Sequence, residues 1–194
     1  MKTNRGRCIV GGLLLVAACA ARAQDFGAPM LLIAAPGTQG AYSRTALIVV
    51  PASGGHGGVI LNRPRDVKLA AVLSSNPQAA KIAAPVSYGG PLGSKLVYAM
   101  VRRDPGEGAK QLMNGIYMTT GAETIDRIVE RMPDEARFFT GMVIWLPGEL
   151  EAQIEAGEWI VTQPDASMVF HRNPGALWGE LVARFGETRT AALK

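Results

Sequence analysis

Residues 54–64, GGHGGVILNRP, decide between two classes of fold. A glycine-rich segment either binds a phosphate through its backbone or turns the chain between two strands. The P-loop ends in Gly-Lys-Ser/Thr and begins a helix, and the dinucleotide fingerprint also places its glycines between a strand and a helix. Here no Lys-Ser/Thr pair follows, and residues 58–62 are largely aliphatic and β-branched. The segment is therefore predicted to be a turn between two strands, not a nucleotide site.

The neighbouring residues complete a hairpin and continue the strand pattern. Residues 45–51, TALIVVP, form a second aliphatic run, and residues 52–57, ASGGHG, supply the small turn residues between the two. Two such runs separated by a few glycine-containing residues are typical of a β-hairpin. Comparable runs predict strands within residues 28–37, 86–93, 95–103, 115–120 and 158–163, and a long central strand over 136–146.

Apolar residues at helical spacing predict about four helices among these strands. They lie at 66–75 with Asp66 as cap, at 120–132 with the capping box Thr120–Glu123, at 147–157, and at 173–185 with Asn173 as cap. Strands joined by tight turns and interrupted by single helices favour an α+β fold. The 194 residues therefore predict a single compact domain, with a mostly antiparallel sheet packed with about four helices.

The first 23 residues have the three-part pattern of a secretory signal peptide. Lys2, Arg5 and Arg7 are followed by an uncharged apolar run over residues 9–21 and by Ala-Arg-Ala at 21–23. The apolar run is shorter than the roughly 20 residues that span a bilayer. We therefore predict a signal peptide at 1–23, a mature domain at 24–194 without a transmembrane span, and a periplasmic location.

A second cleavage site stays open. Residues 16–19, Val-Ala-Ala-Cys, resemble the lipobox of bacterial lipoproteins, in which the cysteine becomes the lipidated first residue. The signal peptide would then cover residues 1–18, and Cys19 would anchor the domain to the membrane. The other cysteine, Cys8, also precedes residue 24, so a domain cut after Ala23 has no disulfide and no cysteine-based metal site.

The basic excess of the chain belongs to this leader. The formal net charge is +4, with 20 basic and 16 acidic residues. Cleavage after Ala23 removes four basic residues and no acidic one, which leaves 16 of each sign. A domain of zero net charge has no overall attraction to phosphate backbones, so no nucleic-acid partner is predicted.

Two short motifs provide the candidate ligand-binding residues, namely Asn62, Arg63, Gly89 and Gly90. Asn62 and Arg63 follow a predicted strand, and the first expectation is that they fix a loop by bonding backbone carbonyls. The alternative is that Arg63 binds an anionic ligand, because a guanidinium matches a carboxylate or phosphate with paired hydrogen bonds. Gly89 and Gly90 permit a close backbone approach, either to another strand or to a ligand.

The histidines do not predict a catalytic or metal-binding site. A hydrolase would need Ser43 or Ser53 as nucleophile, His56 as base and an acid such as Glu149, but no Gly-x-Ser-x-Gly elbow is present. His56 lies in the predicted turn, where it is expected to be an exposed polar residue. A metal site joining His56 to His171 would lack ligand spacing. We therefore predict no catalytic residue, no cofactor and no metal. These residues favour a binding module over an enzyme.

The order of these motifs resembles that of the YqgE/AlgH family over about residues 30–185. The motifs are SRTALI at 43–48, GGVILNRP at 57–64, VSYGGPLG at 86–93, GIYMTT at 115–120 and FFTGMVIWLPGELEAQIEAGEWIV at 138–161. The family positions in this chain are Asn62, Arg63, Pro64, Gly89, Gly90, Pro91, Gly141, Trp145, Gly148, Leu150 and Glu151. The resemblance implies a compact α+β domain and brings no established catalytic residue. One branch is named a transcriptional regulator of alginate synthesis, although the family pattern lacks a recognised DNA-binding motif.

The chain departs from the family pattern in ways that bear on function. Residues 40–43, Gly-Ala-Tyr-Ser, replace Asp-Pro-x-Phe, and residues 141–145, Gly-Met-Val-Ile-Trp, replace Gly-Tyr-x-Gly-Trp. The chain also carries a leader that members typically lack. The leading hypothesis is an exported, non-catalytic domain that binds a small ligand or an envelope protein near Arg63 and Gly89–Gly90. A hydrolase and a cytosolic transcriptional regulator are the alternatives.

Overall fold

The computed structural model describes residues 24–192, with side chains to residue 186, so the predicted leader lies outside the described residues. The strands are β1 Met30–Ala34, β2 Ala46–Ala52, β3 Gly55–Ile60, β4 Pro64–Lys68, β5 Pro85–Tyr88, β6 Leu92–Val101, β7 Lys110–Met113, β8 Ile116–Thr119, β9 Ala136–Trp145 and β10 Trp159–Thr162. The helices are α1 Leu69–Val72, α2 Ala122–Arg131, α3 Glu149–Glu155, α4 Ala166–Val169 and α5 Pro174–Ala192. The α+β class is confirmed, with five helices where about four were predicted.

Strand β9 is the centre of the sheet, as its long apolar sequence predicts. The main path of the sheet runs β10-β1-β2-β3-β9-β6-β8-β7, and β5 joins β9 and β4 beside this path. The predicted hairpin is confirmed, because β2 and β3 pair from Leu47↔Ile60 to Ala52↔Gly55. The paired strands are antiparallel, except that β5 runs parallel to β9. Strands β3, β5 and β6 therefore all meet on β9.

Helices cover the two faces of this sheet and complete its apolar core. Leu177 and Leu181 of α5 pack on one face against the side chains of β1, β2, β3 and β9. Leu150 of α3 packs on the opposite face of the same strands, together with Trp145 and Trp159. Helix α2 covers the β6 side, where its predicted apolar stripe is buried. Burying this much apolar surface is the main stabilising contribution to the fold.

Two local predictions are wrong, the first because strand pairing overrides local helix propensity. Residues 64–68 form β4, which pairs with β5, so Asp66 lies in a strand and the helix begins only at Leu69. The capping box at 120–123 does not form. Helix α2 instead has Gly121 as its N-cap, and the Thr119 hydroxyl accepts from the Gly121 N–H at 3.1 Å. Pairing with β5 therefore replaces the first turn of the predicted helix, and the Thr119 side chain replaces the predicted Thr120 cap.

Over the part of the chain that the structure describes, no helix combines the length and the apolar character needed to cross a bilayer.

Candidate functional site

The Asn-Arg-Pro motif forms a corner that holds the loop before β2. The Asn62 side chain accepts from the Ala46 N–H and donates to the Arg44 carbonyl, both at 2.9 Å. The Arg63 guanidinium donates to the carbonyl of Ala41 at 2.6 Å and to that of Ser43 at 3.4 Å. The first expectation, that these side chains fix a loop through backbone groups, is confirmed. Ligand binding by Arg63 stays a prediction.

Gly89 and Gly90, which follow β5, lie in close backbone contact with Gly141 of β9, and we call this contact the glycine joint. The Gly89 N–H donates to the Thr140 carbonyl at 2.8 Å, and the Gly89 carbonyl accepts from the Ile60 N–H at 2.9 Å. A Cβ atom added to Gly89 would lie 2.3 Å from the carbonyl oxygen of Gly141, and one added to Gly90 would lie 2.2 Å from the backbone of Met142. The close approach predicted for Gly89 and Gly90 is thus made to another strand.

The remaining family positions organise the segment that follows β9. Trp145 and Trp159 both donate from Nε1 to the Gln153 side-chain oxygen, at 3.0 and 2.9 Å. Gly148 has a φ of 85° just before α3, and Leu150 of that helix is buried. Glu151 is half-buried, and its Oε2 has no hydrogen-bond partner in the described residues. These contacts hold helix α3 against the end of β9 and the start of β10.

Of the other two family positions, Pro64 begins β4 and Pro91 lies exposed just before β6.

His56 occupies a different environment from the one its sequence predicts. It lies within β3, between β2 and β9, and is 6% exposed, so the expectation of an exposed turn residue is wrong. Its Nε2 donates to the Phe26 carbonyl at 3.1 Å. Within residues 24–186, neither Ser43 nor Ser53 hydrogen-bonds His56, and Glu149 accepts from a backbone N–H instead. The hydrolase alternative therefore finds no assembled nucleophile and base.

Arg137, on β9, is the functional candidate that the motifs did not indicate. Its Nη1 donates to the Val169 carbonyl at 2.6 Å, and its Nη2 to the Leu61 carbonyl at 2.9 Å and the Ser87 hydroxyl at 3.0 Å. The guanidinium also lies 4.9 Å from the centre of the Phe139 ring. One side chain thus links the end of β3, strand β5 and helix α4 to the central strand.

The positive charge of Arg137 has no carboxylate partner among the described side chains. The salt bridges between those side chains join Arg103 to Glu135 and His171 to Glu180. Burial lowers the pKa of Arg137 to about 10, because desolvation disfavours the charged form. Its three hydrogen bonds go to neutral oxygens, and its Nε–H bonds no described residue. A nearby anion would offset the unfavourable burial of this charge.

A pocket of about 390 Å³ lies beside Arg137. Because arginines line it, we call it the arginine pocket. Arg102 and Arg172 line it together with Arg137, and Asp134 is the carboxylate in the wall. The Arg102 guanidinium lies 4.3 Å from the centre of the Phe170 ring, and Phe170 is another wall residue. The remaining lining residues are Pro64, Ala84, Pro85, Ser87, Ala136, His171 and Pro174. The arginine pocket has the size and the charge to bind a small anion.

The sequence contains one signal for this site. Arg137 is the one charged residue in ARFFTGMVIW, a run predicted to be a central strand. A charged side chain at such a position is almost never buried without a partner. Its neighbours at positions 61, 87 and 169 are distant in the sequence, so the pocket itself depended on the tertiary fold.

Comparison with known proteins identifies the family of the chain. A UPF0301 protein of Chlorobium luteolum is 26% identical over 187 residues, covering 94% of this chain and 89% of that protein. A crystal structure of a protein from Corynebacterium diphtheriae matches with a TM-score of 0.67 and 25% identity, over 81% of this chain and 86% of that one. The solution structure of the AlgH protein from Pseudomonas aeruginosa shares the fold, with a TM-score of 0.69 and 20% identity over 83% and 89% of the two chains. The family model described as AlgH-like matches residues 31–190. The family resemblance seen in the motifs is thus confirmed, and the chain belongs to the AlgH-like family.

Proposed function

We propose that this chain is an exported, non-catalytic binding domain that holds a small anionic ligand in the arginine pocket. The observation that carries the proposal is the charge of Arg137, which is partly buried, lines a pocket and has no carboxylate partner among the described side chains. Buried charges in proteins are normally paired. A carboxylate or phosphate in the pocket would supply the missing partner.

The pocket also offers further positive potential around its opening. Arg102 and Arg172 are exposed at the lining, against one carboxylate from Asp134. Pro174 begins the long helix α5 and also lines the pocket, so the positive end of the helix dipole adds to the attraction of an anion. The Ser87 hydroxyl provides a neutral polar group beside Arg137. This combination favours a compact anion over an uncharged ligand.

The arginine pocket lies close to the Asn-Arg-Pro and Gly89–Gly90 motifs, which predicted a ligand-binding site. Pro64 of the Asn-Arg-Pro motif lines the pocket, and Ser87 lies two residues before Gly89. Arg63 and the glycines then act as supports, because they fix the ends of the strands that carry Pro64 and Ser87. The anion-binding role that the sequence suggested for Arg63 is thereby proposed for Arg137.

Arg172→Ala should weaken the binding of inorganic phosphate and of acetate by about tenfold, or about 1.4 kcal/mol, if Arg172 contacts the bound anion. Titration calorimetry at low ionic strength, on the protein as isolated from cells, measures both affinities. Arg131→Ala is the matched control, since Arg131 is an exposed arginine on α2 outside the pocket lining. No binding of either anion to the unaltered protein would contradict the proposed function, and equal affinities in the two variants would show that Arg172 takes no part in it.

Export is tested separately, by the mass of the protein. We expect the species recovered from the cell envelope to begin at Gln24, or to begin at Cys19 with a lipid attached, because the basic residues, apolar run and small residues of the leader stand in the order that export requires. Intact-mass spectrometry of fractionated cells distinguishes the two ends. A full-length chain confined to the cytosol would refute the exported location and return nucleic-acid binding to consideration.

A further inference from the structure

A second cavity adjoins the arginine pocket and is larger. It has a volume of about 550 Å³ and shares Ala84, Asp134 and Ala136 with the pocket. On one side it is lined by the helical turn Pro77–Lys81 and the residues that follow, namely Gln78, Lys81, Ile82 and Ala83. On the other side it is lined by Val129 and Glu130 of α2 and by Pro133, which follows that helix. We call this cavity the side groove. Because three residues line both, the two cavities lie side by side.

The chemistry of the side groove differs from that of the pocket. Its charged residues are Lys81, Glu130 and Asp134, so the pocket's excess of positive charge does not continue into it. Apolar side chains, Ile82 and Val129 among them, alternate with these polar groups. A polyphosphate would meet the carboxylates of Glu130 and Asp134 there, and a fatty chain would have to cover these charged groups. A peptide carries amide donors, carbonyl acceptors and apolar side chains, and so matches a mixed lining of this kind.

We propose that the arginine pocket receives the C-terminal carboxylate of a peptide whose preceding residues lie in the side groove. This inference rests on the anion-binding function proposed above. Ala84, Asp134 and Ala136 line both cavities, whereas Pro64, Phe170, His171, Arg172 and Pro174 line the pocket alone. A peptide that lies in the side groove and crosses the shared residues would therefore place its last residue in the pocket. Capture of a terminal carboxylate by fixed donors is an established mode of peptide recognition.

The test compares four probes by titration calorimetry on the protein as isolated from cells. These are inorganic phosphate, acetate, N-acetyl-tetraalanine with a free carboxylate, and the same peptide as its C-terminal amide. We expect the free peptide to bind at least about tenfold more tightly than acetate, because it adds contacts in the side groove. The amide should lose at least about tenfold against the free acid, because it lacks the charge that pairs with Arg137.

A variant of the side groove separates the peptide from the anion. Ala83 is exposed and lines the side groove but not the pocket, so Ala83→Trp should reduce the affinity for the peptide to that for acetate and leave acetate binding unchanged. Ala152→Trp, at an exposed position on α3, is the matched control.

Each alternative outcome decides the question. If acetate binds but the free peptide binds no more tightly, the peptide inference is wrong and the anion-binding function stands. If the amide equals the free acid, or phosphate exceeds the peptide, the terminal carboxylate is not the recognised group and the inference is again overturned. If no probe binds, the inference and the proposed function both fail.

Discussion

Gly141→Ala is expected to lower the free energy of unfolding by more than about 4 kcal/mol, a loss outside the usual range for a single substitution. Gly141 has a φ of 74°, which an alanine adopts only with strain. The added Cβ would also lie 2.1 Å from the carbonyl oxygen of Gly90 and 3.1 Å from that of Leu92. Both contacts are with backbone, so the segment from Gly90 to Leu92, which connects β5 to β6, would have to move away from β9. Urea denaturation, read from the midpoint and slope of the transition, measures the loss.

Gly148→Ala is the control that separates strain from collision. Gly148 has a similar φ of 85°, but nothing lies within 4 Å of the Cβ it would gain. We therefore expect it to lose only about 1–2 kcal/mol, the strain of a left-handed alanine. Similar losses in the two variants would show that the backbone joint relaxes easily and that the glycine motifs are not needed for close packing.

The glycine joint also explains how the family motifs serve the proposed site. Strand β5 ends at Tyr88, and Gly89 bonds both β9 and the end of β3. This fixes Ser87 opposite Phe139 in the parallel ladder, within reach of the Arg137 side chain. The motifs therefore position a site that lies between them, without supplying its charged residues.

The sequence was sufficient where local pattern and tertiary structure agree. Residues 54–64 predicted the hairpin, because its strands are aliphatic on both sides of a glycine-rich turn and pair locally. The run 136–146 predicted the central strand because it is long and almost wholly apolar. The helical spacing of Leu69, Val72 and Leu73 predicts a helix that Asp66 would cap, but pairing with β5 at Lys68↔Pro85 makes residues 66–68 a strand. That pairing joins segments about twenty residues apart, which local spacing does not report.

The candidate site could not be predicted in the same way, because its parts meet only in three dimensions. Arg63 was the arginine that the motifs indicated, yet its guanidinium is engaged by the carbonyls of Ala41 and Ser43. His56 was placed in a turn, although β9 pairs with β3 and buries it. Arg137 was identifiable as an isolated charge in an apolar strand. Its pocket required knowledge of where residues 61, 87 and 169 lie.

Arg137→Met is expected to abolish anion binding and to destabilise the fold. The side chain keeps its length and apolar contacts but loses the charge and all its donors, so we expect the affinity for phosphate to fall by at least about 100-fold. The carbonyls of Leu61 and Val169 and the hydroxyl of Ser87 lose their partner. Because removal of a buried charge offsets part of this loss, we expect a net destabilisation of about 2–4 kcal/mol.

Thermodynamic linkage separates the two effects of Arg137 within one experiment. Phosphate at 100 times its dissociation constant should stabilise the unaltered protein against urea by about 2.7 kcal/mol, since it binds only the folded state. The same phosphate should stabilise Arg137→Met by at most about 0.4 kcal/mol, whereas Arg131→Met on α2 should retain the full amount. Arg137→Lys keeps a charge but not the paired donors, and should retain only part of the effect. If phosphate stabilised Arg137→Met as much as the unaltered protein, Arg137 would be a structural link between strands and not the group that binds the anion.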